Sequence, residues 1–329
     1  MGYMFWMGGK LATGLEEVTS DLNSLKQPGF WAIVGTFEGE WIFAKFKECI
    51  DAPLPEGGAW NPIPISSWSS SLDRKSYMDY VELIREEIAL GEVYQVNACR
   101  VLSTVNHGNA NLLPLANAFA SANPAPYLSY LSLPGLEIAS ASPERFLSLQ
   151  DQFLTSSPIK GTSATKDFQE KDQAENLMIV DLIRNDIGAI AEIGSVTTPR
   201  LLDTETHPGL YHLVSDIRAK VAPGLSFAEV LKSMMPPGSV SGAPKSSALK
   251  IIGNKEGVRD VYCGALGWYQ DGVAEIAVAI RTFWQREDGV LRFGTGAGIT
   301  WGSDSILEWE ETELKAGRLL SIAGGQVKV

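Results

Sequence analysis

VYCGALGWYQDGVAEIAVAIRTFWQREDGVLRFGTGAGIT, residues 261–300, alternates strand-like runs, AEIAVAIRTFW and VLRFGTGAGI. Working outward, residues 304–322 read as one closing helix, and 126–155 as a series of strands broken at Pro143. FWAIVGTFEGEWIFAKFK (30–47) reads as two strands around a turn. Residues 51–71, rich in Pro, Gly and Ser, read as a loop. From Asp73 the apolar spacing becomes helical. Tyr77, Tyr80, Val81, Ile84 and Ile88 share one face, and Gly91 ends the run. Further helices are expected over 170–190, about 226–235, and 245–252 after Pro244. Strands and helices are interspersed without βαβ periodicity or internal repeats, which predicts a mixed, largely antiparallel α+β fold.

The 329 residues are 45% hydrophobic and 20% charged, enough for a sizeable core. The net charge of −12 argues against nucleic acid or an anionic membrane as partner. Cys49, Cys99 and Cys263 lack both disulfide-framework and metal-ligand spacing and read as reduced cytosolic thiols. The apolar start, MGYMFWMGGK, has no basic leader region and is interrupted by glycines and Lys10. Neither a signal peptide nor a membrane span is expected, and the reading is cytoplasmic.

Several clusters can carry chemistry. Asp172 and Glu175 stand three apart on one expected helix, and Glu308 and Glu311 on another, with Lys315 a further turn along. That spacing puts each pair on one face. Two such faces would meet as an all-oxygen cage suited to Mg²⁺, or they are simply solvated. In SPIKGT (157–162) Lys160 is a point charge for an anion, a nucleophile, or a surface lysine in a turn. PPGSVSGAPK (236–245) is not a phosphate loop: the G-x-x-x-x-G-K-[ST] spacing is absent and Pro244 removes a backbone donor. GTGAGI (294–299) allows close backbone approach to a ligand, or is a strand-end turn, and does not fit a dinucleotide fingerprint. Of the three histidines, His107 and His207 read as loop residues. His212, in YHLVS, reads as a satisfied core residue.

The order of these motifs says more than any one of them. EVYQVN (92–97), SASPERF (140–146), SPIKGT, DQAENLMIVDLIRND (172–186), YHLVS (211–215), PPGSVSGAPK, VYCGALGWY (261–269), AIRT (279–282), GTGAGI and EWEET (308–312) follow one another along the chain. This succession resembles the chorismate-utilising enzymes, over about 73–322. That family includes anthranilate, aminodeoxychorismate, isochorismate and salicylate synthases. The resemblance implies two antiparallel sheets packed face to face with helices outside. Residues 1–72 would be a short β-rich part of the same fold, and 73–322 the chorismate-binding catalytic domain. The N-terminal region looks shorter than in many relatives, which leaves a tryptophan site there unsupported.

The resemblance also implies roles. Glu175 and Glu311 would bind Mg²⁺, supported by Asp172 and Glu308. Arg281, Tyr262 and the backbone near Gly296 and Gly298 would hold the enolpyruvyl carboxylate. Gly161 and Thr162 would line the ring, and Lys315 would add positive charge. His212 and Ser239 would lie near the departing C4 oxygen, and Glu144 would be the general acid and base. Lys160 stands where relatives that aminate C2 carry alanine, and is characteristic of the aminodeoxychorismate synthases. Gln95 stands where water-using relatives carry lysine. The implied reaction is amination of chorismate at C4 with ammonia, toward 4-aminobenzoate and folate. The three cysteines lie in KECID, NACRV and VYCGA, none a G-x-C-x-G elbow. Ammonia is therefore expected from a separate glutamine amidotransferase subunit.

Overall fold

The chain starts in a hairpin of β1 (Met4–Met7) and β2 (Lys10–Thr19), followed by β3 (Phe30–Gly35) and β4 (Trp41–Asp51). A long loop passes the two-residue strand β5 (Ser69–Ser70) to α1 (Arg74–Ala89) and β6 (Gln95–Val105). Then come α2 (Leu113–Ala122), β7 (Tyr127–Leu133), β8 (Leu136–Ser142), β9 (Arg145–Gln150), β10 (Phe153–Ser157) and β11 (Ile159–Ser163). Helix α3 (Glu170–Gly188) precedes the hairpin β12 (Thr197–His207) and β13 (Leu210–Lys220). The remainder is α4 (Phe227–Met234), β14 (Gly242–Ala243), α5 (Lys245–Lys255), β15 (Ala265–Gln270), β16 (Val273–Val278), β17 (Thr282–Arg286), β18 (Val290–Ile299) and α6 (Ser305–Ala323). This computed structural model describes residues 2–106, 108–163, 167–168, 170–207 and 210–326, without the side chains of 162, 163, 171, 206, 207 and 210. His107 lies outside the described residues, as do the side chains of Thr162 and His207.

The helices begin where their capping chemistry puts them. Asp73 accepts from the Ser76 N–H at 2.7 Å and starts α1, whose Tyr77, Tyr80, Val81 and Ile84 are buried as their spacing predicts. Asp304 accepts from the N–H groups of Ile306 and Leu307 and starts α6. Ser226 and Glu229 close a capping box on α4.

Every described strand pairing is antiparallel. One ladder runs from β12 through β13, β10, β9, β16, β15, β3, β4, β2, β1, β7, β8, β17 and β18 to β6. The two expected sheets are therefore the halves of one continuous ladder. The join is β2, which pairs with β4 on one edge and, over its first residues, with β1 on the other. Its register shifts between Leu15 and Glu17, just past Gly14 at φ +71°, and such a bulge bends a strand.

The halves share one core. Ile33, Phe43, Leu147 and Ile276 of the first pack in the same cluster as Leu131, Ile138, Trp284 and Ala297 of the second. Alternation then sends Phe283 and Phe293 to the opposite face, into a second cluster with Leu113, Phe119, Leu319 and Leu320 of α2 and α6. Helix α3 covers β11 and β13. Among the described residues no helix is long and apolar enough to cross a membrane.

One contact fixes how closely the halves approach. A Cβ at Gly294 would lie 2.0 Å from the Tyr262 ring, which is itself buried. Gly294→Ala should therefore lose about 1–3 kcal/mol in denaturant unfolding. Gly317→Ala, in the open interior of α6, should gain about 0.5–1 kcal/mol. Equal midpoints for the two variants would contradict this packing.

Candidate functional site

Two chain crossovers between the halves build the centre of the site. Glu144 follows Pro143 in the short link from β8, in the second half, to β9, in the first. Arg281 lies in the link from β16 back to β17, at φ +52°. The links are bonded together: Ala141 N–H donates to Arg281 O at 3.0 Å, Val278 N–H to Glu144 O at 3.0 Å, and Ser142 Oγ to Val278 O at 2.6 Å. A non-glycine residue held at positive φ is tolerated where its surroundings over-determine it, and such residues gather at functional sites.

Glu144 is 5% exposed and accepts a 2.5 Å hydrogen bond from Ser239 Oγ. Burial raises its carboxyl to about 7, against the opposing pull of Ser239, Lys160, Arg281 and Lys315. A carboxyl poised there can both give and take a proton near neutral pH. The guanidinium of half-buried Arg281 has no hydrogen bond or ion pair among the described residues. Burial draws its guanidinium below the ordinary value, although Glu144 pulls the other way. It is a cation available to an anion.

Lys160 stands on β11 at a register shift against β13, between Ile159 and Thr162. Its ammonium has no hydrogen bond or ion pair among the described residues. Burial and then Lys315 lower its pKa, outweighing Glu144, Glu175 and Glu311. The amine is thus shifted toward its neutral, nucleophilic form. Across from it, a Cβ on Gly298 would meet Gln95 Nε2 at 2.3 Å, so glycine leaves room for that amide, with Lys160 Nζ 3.6 Å from the same point. Gly161, at φ +88°, does the same for α3: a Cβ there would lie 3.1 Å from Asp172 Cβ.

Helices α3 and α6 bring the acids. Glu175 and Glu311 both act on Lys160, and Lys315 Nζ lies 2.6 Å from Glu311 Oε1 and 3.2 Å from Gly296 O. Glu308 is buried and faces Tyr77. His212 is buried on β13, opposite Thr162 and Glu205 in the ladder. Tyr262 has its hydroxyl 4.0 Å from Cys99 Sγ, and its ring covers the Gly294 backbone. Thus Glu144, Ser239, Lys160, Arg281, Lys315, Glu175, Glu311, Gly161, Asp172 and Gly298 form one constellation. Among the described residues Tyr262 is not joined to it by a hydrogen bond.

The acidic residues offer only oxygen, the donor chemistry of a hard divalent cation. Among the described residues, however, no three acidic, His or Cys side chains converge closely enough to hold one. The donor type fits Mg²⁺, and the Lys315 ammonium is the cation that Glu311 holds.

Sequence reading missed the supports. The Lys245–Asp186 pair, 2.6 Å apart, ties the 236–245 loop to α3, and Arg259 bonds that loop from inside. Nothing in the one-dimensional spacing links these residues.

Residues 45–321 match the family described as chorismate binding enzyme. The chain is 38% identical over 261 residues to the aminodeoxychorismate synthase of Streptomyces pristinaespiralis, covering 74% of this chain and 36% of that protein. It is 36% identical over 270 residues to aminodeoxychorismate synthase component 1 of Escherichia coli, covering 78% and 59%. It is 35% identical over 269 residues to anthranilate synthase component 1 of Aquifex aeolicus, covering 77% and 54%. The chain thus spans between about a third and three fifths of these relatives. Among solved structures, an isochorismate synthase of Bacillus anthracis shares the fold, with a TM-score of 0.81 and 20% identity over 98% of this chain and 96% of that one.

Burial raises Glu144 from 4.5 to about 7, so the folded state binds its proton more tightly. That contribution to stability is complete below about pH 4.5 and is lost as pH rises through about 7. Glu144→Gln cannot titrate. Its stability should gain on the parent by about 3 kcal/mol between about pH 5 and about pH 8 in denaturant titrations. Parallel stability curves would show that Glu144 ionises normally.

Proposed function

The chain belongs to the chorismate binding enzyme family, and within it we propose amination of chorismate at C4 with ammonia, giving 4-amino-4-deoxychorismate. What carries this reading is Lys160. It is a half-buried lysine shifted toward neutrality, without an ion-pair partner among the described residues, and under the influence of a carboxyl that titrates near 7. Identity alone does not choose between this reaction and anthranilate formation, because relatives of both kinds match almost equally. The lysine in SPIKGT favours the C4 reaction.

In the proposed sequence the neutral Lys160 amine adds to C2 of chorismate, becoming a secondary ammonium, while both ring double bonds shift toward C4. The 4-hydroxyl departs as water, taking the Glu144 proton. Ammonia then adds at C4, both double bonds shift back, and Lys160 leaves as the neutral amine. The new C4 ammonium returns its proton to the Glu144 carboxylate. The sum is hydroxyl exchanged for amine, with one water released and the enolpyruvyl group kept. Tethering the first amine makes that step effectively unimolecular. Arg281 would hold the enolpyruvyl carboxylate, with Tyr262 and the backbone at Gly296 and Gly298. Gly161 and Thr162 would lie along the ring, and His212 and Ser239 near the leaving oxygen. Glu175 and Glu311, with Asp172 and Glu308, would hold Mg²⁺, which when bound supplies positive charge for the ring carboxylate. A glutamine amidotransferase subunit would deliver the ammonia, in line with the word component in the relatives' names. The pathway would be that of 4-aminobenzoate and folate.

Lys160→Ala, incubated with chorismate, Mg²⁺ and ammonium, should lose most 4-amino-4-deoxychorismate by mass spectrometry, and the 2-amino isomer or a trace of anthranilate should appear. Mainly the 4-amino product at near-parental rate would remove Lys160 as nucleophile. Glu311→Gln should stay folded by circular dichroism yet need far more Mg²⁺ for what activity remains. Parental activity at ordinary Mg²⁺ would sink the metal assignment.

A further inference from the structure

Behind Glu144 lies a buried polar assembly to which the reaction above gives no part. Arg259, 1% exposed, sits between α5 and β15. Its Nε donates to Glu256 Oε2 at 2.7 Å and its Nη2 to Glu256 Oε1 at 2.8 Å. Nη1 also donates to Val240 O at 2.9 Å, and Nη2 to Asn97 O at 2.7 Å. The guanidinium lies over the Phe37 ring, 4.2 Å from its centroid. Glu256 Oε1 accepts further bonds from Tyr80 Oη and the Cys99 N–H, both at 3.0 Å. Burying such a pair is tolerable only because its donors and acceptors are satisfied in this way.

The two carbonyls that Arg259 takes belong to segments facing the site. Val240 follows Ser239 in the 3-10 turn Gly238–Val240, and Asn97 lies two residues past Gln95 on β6. A planar fork can reach both at once and still pair with Glu256, whereas an ammonium cannot reproduce that geometry. The loop is also held from outside, where Lys245 pairs with Asp186 and donates to Met234 O at 3.4 Å. Those contacts act at its ends, and Arg259 acts on its middle.

We propose that Arg259 is a positioning residue for proton transfer: by holding the Val240 carbonyl it fixes the turn that keeps Ser239 Oγ on Glu144 Oε1. This rests on the reading of Glu144 as acid and base. The other groups facing Glu144 are Lys160 on β11, Arg281 at the crossover and Lys315 on α6. Arg145 and Asp186, the latter paired with Lys245, line the small cavity beside it. None of these bonds the turn at Val240. The Ser239 hydrogen bond favours the ionised carboxylate, so loosening it lets Glu144 keep its proton to higher pH.

The test follows, by difference infrared spectroscopy against pH, the protonated-carboxyl band that Glu144→Gln removes. Ser239→Ala should raise its midpoint by about one pH unit. Arg259→Lys should shift it in the same direction, and the double variant no further than Ser239→Ala alone. A midpoint unmoved by Ser239→Ala, unmoved by Arg259→Lys, or shifted additively in the double variant would each overturn the proposal. If Arg259→Lys does not fold, Glu256→Gln, which keeps the guanidinium but frees its fork, replaces it with the same expected and overturning results. The band is read without substrate, so a parent protein that fails to turn over chorismate would count against the proposed reaction and not against this one.

Discussion

The glycine face of β18 is the constraint on which the rest depends. Residues 294, 296 and 298 alternate along one strand and so share one face. Each is filled by something that a Cβ would exclude: the Tyr262 ring at 294, Ala98 O and Cys99 Sγ at 296, and the Gln95 amide beside the Lys160 amine at 298. Pairing with β6 is unbroken across all ten residues, so the face is held in register. A side chain at 294 would collide with the Tyr262 ring, and at 296 or 298 it would collide with Ala98, Cys99 or Gln95 of the neighbouring β6, at the point where Lys160 approaches the same strand.

From that approach follows the electrostatics. The crossovers at 143–144 and 279–281 are chain links between halves whose backbones bond to each other, which brings buried Glu144 near half-buried Arg281. Burial moves Glu144 up, and it moves Lys160 and Arg281 down. Burial thus draws acid and amine toward each other in pH, and the opposite charges nearby restore each group only in part. In a chain of net charge −12, this pocket of cations is a local feature that the global field does not reveal.

Much of this was legible in one dimension. The hairpin at 30–47, the helices α1, α3, α4, α5 and α6, and the strands of 126–155 and 261–300 announced themselves by period and by punctuation. What stayed hidden did so for physical reasons. Helix α2, LPLANAFASA, is apolar on most sides and has no side-chain cap. Strand β6 carries Arg100 in a buried position, which makes sense only once Trp309 stacks on it and Thr312 and Glu313 bond it. Strand β12 contains Pro199 and two register shifts, which blur any alternation. At the site, the residue type pointed to Lys160, and the resemblance of the ordered motifs pointed to Glu144 and Arg281. The Ser239–Glu144 bond and the Arg259 fork join residues far apart in the chain, and no local pattern encodes them.

The central claim is that Lys160 is a shifted amine governed by Glu144. The most direct measurement is the pH dependence of Lys160 acylation by a small anhydride, read at that residue by peptide mass spectrometry, in the parent and in Glu144→Gln. The account predicts a Lys160 midpoint below the ordinary 10.5, and a still lower one in Glu144→Gln, because the carboxylate that favours the ammonium is gone. A midpoint at the ordinary lysine value, unchanged by the substitution, would contradict it.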